Sequence, residues 1–279
     1  MFSTETKSLL TVVDCQSSGG TVRLALSDNI IVAASCYGVI SVWTRRDYSL
    51  IFRDNSLHQT NITGLQLNNN FLITGDSDGV VNWSKISTVY EKSEKILVDE
   101  KRPLTDLDFQ CKTVLLGSLS CLRVGTLSPE GIYKSVRLIK TGYILECKLC
   151  QNLAFTSGGK HRRGIQVWDL RSGGLVRTVC PNFAFLSLEI SNNVLSSVML
   201  SPSLTFPHIY VIDLAGLERG HCGRMRGFPC LQATLLRPST CASHTKIFQA
   251  QGTELKMLEF WYYQVSDWDI DTFLNGIKL

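Results

Sequence analysis

A twelve-residue pattern recurs five times along this chain at nearly constant spacing. The copies read LALSDNIIVAAS (24–35), LQLNNNFLITGD (65–76), LDFQCKTVLLGS (107–118), CKLCQNLAFTSG (147–158) and LEISNNVLSSVM (188–199). Their apolar anchors Leu26, Leu67, Phe109, Leu149 and Ile190 are 41, 42, 40 and 41 residues apart. A fixed period of that length marks a repeat architecture, in which one supersecondary unit is copied and stacked. Each copy alternates apolar and polar residues up to a break, and four breaks carry Asn or Asp (Asp28 and Asn29, Asn69 and Asn70, Asn152, Asn192 and Asn193). The unit is therefore a strand, a tight hairpin and a second strand.

A third alternating segment follows each hairpin: VISVWT (39–44), VVNWSKI (80–86), CLRVGTL (121–127), IQVWDL (165–170) and HIYVIDL (208–214). A looser sixth copy reads LQATLL (231–236), TKIFQAQ (245–251) and LKMLEF (255–260), and fourth segments read YSLIF, EKILV, SVRLIK and GLVRTV. Four short strands per period make a propeller blade. The fold class expected is an all-β propeller occupying 1–279 as one domain. Its repeats fall at about 21–60, 61–102, 103–142, 143–183, 184–229 and 230–260, with a tail at 261–279. An outer strand within 7–20 is expected to close the ring against the final blade, because an open ring leaves strand edges unpaired. The tail leaves room for a seventh blade.

Composition narrows the class further. No apolar run among the 279 residues approaches the ~20 needed for a membrane helix. The first ten residues lack the basic and long apolar regions of a secretory signal, so a cytoplasmic or nuclear protein is expected. Ten cysteines scattered through predicted strands then read as small buried hydrophobes. The CxxC at Cys147 and Cys150 places its members on opposite faces of a strand, so no metal and no cofactor is expected. A net charge of +4 is too small to argue for nucleic acid. The five histidines are dispersed and no phosphate loop or nucleophile-elbow motif occurs, so catalysis is not expected.

Val167-Trp168-Asp169-Leu170 closing a third strand, followed by Arg171-Ser172-Gly173-Gly174, resembles the WD-repeat propellers. Val42-Trp43 and Asp78-Gly79 add to that resemblance, together with the period. The family's buried set of Trp, Ser or Thr, His and Asp implies structural roles for Trp43, His58, Asp78, Trp83 and Trp168. In the second repeat Ser84 falls at the Trp position, with Trp83 one place early. The order of repeat features is most similar to F-box/WD substrate receptors of ubiquitin ligases, although the stretch ahead of the first repeat is shorter than an F-box.

That resemblance implies a non-catalytic module, a monomer within a larger complex, that takes other proteins as partners: ligase subunits and acidic or phosphorylated substrates. An assembly scaffold, or a propeller of an RNA-processing particle, is the alternative. The candidate partner-binding rim is Gly158-Gly159-Lys160-His161-Arg162-Arg163-Gly164, read as a flexible basic loop between second and third strands. Trp168, Asp169 and Arg171 form a WDxR sequence similar to a ligase-adaptor docking motif. A second basic stretch, 217–227, reads as a loop where an outer strand would stand.

Overall fold

In a computed structural model, the structure describes residues 21–68, 71–86, 90–91, 95–97, 103–128, 132–158, 162–181, 183–191, 194–200, 208–214, 225–229, 239–242, 246–251 and 254–259. These residues are all-β, without a helix among them. The first sheet is β1 (Thr21–Leu26), β2 (Ile30–Ser35), β3 (Ile40–Thr44) and β4 (Leu50–Asp54), antiparallel in chain order. The second is β5 (Ile62–Asn68), β6 (Phe71–Asp76) and β7 (Val80–Ile86), with β8 (Tyr90–Glu91) and β9 (Lys95–Leu97) both paired on β7. The third is β10 (Leu104–Gln110), β11 (Thr113–Ser118), β12 (Cys121–Leu127) and β13 (Tyr133–Lys140).

The fourth sheet is β14 (Glu146–Cys150), β15 (Leu153–Gly158), β16 (Arg162–Asp169) and β17 (Leu175–Val179). The fifth is β18 (Ala184–Ser191), β19 (Val194–Leu200), β20 (His208–Asp213) and β21 (Met225–Pro229). The sixth holds three described strands, β22 (Ser239–Ala242), β23 (Lys246–Gln251) and β24 (Glu254–Glu259). First strands pack in order, β1 on β5, β5 on β10, β10 on β14, β14 on β18 and β18 on β22. This is the stacking of propeller blades. The closing segment within 7–20, LQATLL and the tail 261–279 lie outside the described residues.

The second strands β6, β11 and β15 are buried along nearly their whole length because their sheets are covered on both faces. Leu72 of β6 packs with Val32 and Val42 of the first sheet, whereas the next residue, Ile73, packs with Leu104, Leu107 and Val114 of the third. Ala154 of β15 likewise faces Leu115, Leu122 and Ile139, and Phe155 faces Phe185, Leu188 and Leu195. That two-sided burial explains why these strands read as continuous apolar runs rather than alternating ones. Close approach of neighbouring first strands fixes one glycine: a Cβ on Gly64 would stand 2.5 Å from Leu107 Cβ.

One expectation is corrected here. Part of the 217–227 stretch is strand, since Met225 to Gly227 enter β21 and pair with Ile212 to Tyr210. The open edge of β20 supplies backbone partners, and those outweigh the weak strand propensity of an Arg-Gly sequence.

Candidate functional site

The turns from second to third strand in the first two sheets are built alike. Ser35 Oγ accepts from the amides of Tyr37 (3.2 Å) and Val39 (3.1 Å), and Asp76 Oδ1 accepts from those of Asp78 (3.0 Å) and Val80 (2.9 Å). Gly38 and Gly79 supply the positive φ that each turn needs, 78° and 84°. In the fourth sheet the equivalent connection is the basic segment. Its loop is shorter than the sequence implies: Gly158 pairs with Arg162 after a register shift, and Arg162 to Gly164 belong to β16. Residues 159–161, with Lys160 and His161, lie outside the described residues. Gly164 (φ 90°) anchors the base, its amide donating to Phe183 O at 2.6 Å.

At the opposite end of β16, Trp168 and Trp43 occupy matched positions, opposite Ala154 and Ile31, and are only 6 % and 4 % exposed. Trp168 Nε1 donates to the buried Thr156 Oγ1 at 3.0 Å. Asp169 is occupied by its own turn. Its carboxylate accepts from the Arg171 amide (2.9 Å), the Ser172 amide (3.3 Å) and the Ser172 hydroxyl (2.8 Å), bonds that hold it below its ordinary pKa. Arg171 itself is exposed. From the third sheet, Arg137 donates to the carbonyls of Arg171 and Ser172, both at 2.6 Å.

The buried polar set of the second sheet departs from expectation in two members, Asp78 and Trp83. His58 meets Asp76, not Asp78: Nδ1 to Asp76 Oδ2 is 2.8 Å and Nε2 to Thr74 Oγ1 is 2.7 Å. A carboxylate can only accept, so Nδ1 carries the hydrogen. Asp78 lies in the turn beyond the strand. Burial opposes ionisation of Asp76, but the His58 bond and the Val80 and Asp78 amides outweigh it and hold the carboxyl below 3.8. Ser84, opposite Leu72, takes the place that Trp168 holds in the fourth sheet. Asn82, opposite Thr74, donates to Leu57 O at 2.9 Å. Trp83 is half-buried outside this set and stacks on Phe71, with ring centroids 5.3 Å apart.

A charged belt along the first strands is absent from the sequence reading. Asp106 and Asp108 of β10, Glu146 and Lys148 of β14 and Glu189 of β18 face one another across three sheets. Asp106 accepts from the Cys147 amide (2.9 Å), Asp108 from the Leu149 amide (2.6 Å) and Glu146 from the Leu188 amide (2.5 Å). Lys148 Nζ is 3.7 Å from Glu189 Oε2, and Arg23 reaches Asp106 at 4.0 Å while donating to Thr63 O. Burial alone would pull the Lys148 pKa down, but Asp108, Asp106, Glu189 and Glu146 reverse this and hold it above its ordinary value. Burial pushes the carboxyls of Asp108 and Glu189 up, partly offset by Lys148.

Cys147 faces the third sheet and Cys150 packs toward the fifth, so the CxxC does not gather its sulfurs. Among the described residues, no group of three or more His, Cys, Asp or Glu side chains is placed to hold a metal ion.

No family model and no curated protein matches the chain. Solved structures do. A chain of the mitotic checkpoint complex superposes with a TM-score of 0.74 at 14% identity, covering 94% of this chain and 84% of that one. The computationally designed Ika8 protein superposes with a TM-score of 0.62 at 19% identity, covering 86% of this chain and 71% of that one. At these identities the likeness is one of fold.

Proposed function

We propose that this chain is a non-catalytic, WD-repeat-type interaction propeller that presents the β15–β16 turn to acidic or phosphorylated partners, as the substrate-recognising part of a ubiquitin ligase. The observation that carries the reading is the position of residues 158–164. Gly158 and Arg162, which bracket the connection, pair at the same end of their sheet as the turns at 35–38 and 76–79, and the sequence 158–164 holds Lys160, His161, Arg162 and Arg163 without one carboxylate. Cations at a strand-connecting turn favour phosphate and carboxylate ligands, which guanidinium groups bind bidentately. The likeness to a chain of a multi-protein checkpoint complex supports protein partners. The Trp168-Asp169-Leu170-Arg171 turn, with Arg171 exposed at the other end, is the docking point for the ligase adaptor.

The test compares wild type with a Lys160→Ala, Arg162→Ala, Arg163→Ala variant against a phosphorylated acidic peptide over a salt series. Each desolvated charge-assisted contact is worth about 1.5–3 kcal/mol, so the variant is expected to bind at least tenfold more weakly with an unchanged melting temperature. Binding that ignores both salt and substitution would move the interface elsewhere and favour the assembly-scaffold alternative.

A further inference from the structure

Ten large hydrophobic side chains are exposed among the described residues, and five of them lie at the outer strands of two neighbouring sheets. They are Ile132, Val136 and Leu138 at β13 and Leu175 and Val176 on β17, each 47–64 % exposed. The charges there carry one sign: Lys134, Arg137, Lys140, Arg171 and Arg177, with no Asp or Glu in 131–140 or 170–179. The two strands form one surface, because Arg137 of β13 donates to the carbonyls leading into β17. Its Cδ also lies where a Cβ on Gly173 would be only 2.9 Å away.

β13 is also an available edge. It has eight residues against five in each of β4, β17 and β21, and among the described residues it pairs only with β12. A register shift between Ser135 and Arg137 leaves Val136 opposite no residue of β12. Sheet edges are ordinarily guarded by lysine, and guarding alone requires no apolar side chains beside the charges. Here Lys134 and Lys140 bracket Val136 and Leu138. Apolar side chains bracketed by cations along an unpaired backbone match a strand-like ligand with alternating apolar and acidic residues.

We propose that the outer rim of the third and fourth sheets docks an extended acidic segment of a partner protein, added as a strand along the free edge of β13. Its apolar side chains lie on Val136 and Leu138, and its carboxylates on Lys134 and Lys140. This surface is separate from the β15–β16 turn, so substitutions at the two sites fail or succeed independently.

The probe is a pool of octapeptides with Glu at alternate positions and mixed Val, Ile, Leu, Phe and Tyr between them, set against the same pool with Gln for Glu. The full chain is expected to retain the Glu pool, losing about tenfold or more of that binding in a Lys134→Glu, Lys140→Glu variant, with marked salt sensitivity. Leu138→Asn is the second variant should charge reversal impair folding, which melting curves report. Equal retention of both pools, no retention, or binding unaffected by either variant overturns the proposal. So does binding to phosphatidylserine vesicles that the Lys variant abolishes while the peptides remain unbound, since that outcome assigns the rim to lipid.

Discussion

Replacing Lys148 by Met removes the cation from the belt while keeping its length and apolar stem. At 3.7 Å from Glu189, a unit pair attracts by about 4–5 kcal/mol at an effective dielectric of ~20. Both side chains keep some solvent, 19% and 30% exposed, and both lost hydration on folding, so the net worth of the pair is about 2–3 kcal/mol. The substitution also removes a cation coupled electrostatically to Asp106, Asp108 and Glu146. Leaving buried carboxylates unpaired adds to the cost, and we expect Lys148→Met to lose about 3 kcal/mol near neutral pH, a melting drop of about 6–10 °C.

The pH dependence fixes the cause. A lysine held above its ordinary pKa contributes stability that is complete below 10.5 and is lost only as pH rises through the higher folded value. Wild type therefore keeps this contribution at neutral pH and loses it toward acid only as the partner carboxyls of Asp108 and Glu189 take up protons. In the variant the carboxyls of Asp108 and Glu189, already raised by burial, rise further and take up protons as pH falls, which relieves their repulsion. The stability gap, read by calorimetry from about pH 8 to about pH 5, should narrow toward acid. Adding Asp108→Asn should recover part of the loss at neutral pH. A gap that is constant or widens toward acid would refute the electrostatic argument and leave packing of the lysine stem as the cause.

Trp168→Ala should cost about 3–5 kcal/mol through the cavity it leaves, and Trp168→Phe about 1 kcal/mol, the worth of its bond to Thr156. Thermal melting separates the two, and a wild-type-like melt for the alanine variant would place Trp168 outside the packed interior. Asp76→Asn should lose about 2 kcal/mol near neutral pH. Because the folded carboxyl titrates below 3.8, its contribution is present above 3.8 and fades as pH falls through the folded value, so the two proteins should converge in acid. Denaturant titrations down to about pH 2 would detect a gap that persists.

Much of the architecture was legible because period and alternation follow from burial. The segments VVNWSKI and CLRVGTL coincide with β7 and β12, and Trp43 and Trp168 were placed by a shared strand position. Asp78 adjoins the same turn as Asp76, yet only Asp76 ends a twelve-residue copy, where Ser35 and Ser118 stand in the first and third. The belt went unread because polar residues alternating in a first strand look solvent-facing, whereas here they converge across sheets. Its signal was present: Asp108, Lys148 and Glu189 each precede an anchor residue, with alternating sign in successive copies. The residues that make β21 a strand carry no such signal, since the edge of β20 decides their conformation.

The belt has a consequence for how the chain assembles during synthesis. The three carboxylate-to-amide bonds between successive first strands span 41, 41 and 42 residues, so the loop each one closes does not lengthen as the chain grows. Loop-closure entropy rises with the logarithm of loop length, and each arriving sheet meets the same entropic barrier as the one before it. Sheets three, four and five can then add in order of emergence, each fastened to its predecessor before the next is made. Any contact that joins the last sheet to the first falls outside this scheme, because it spans nearly the whole chain and must wait for the end of translation.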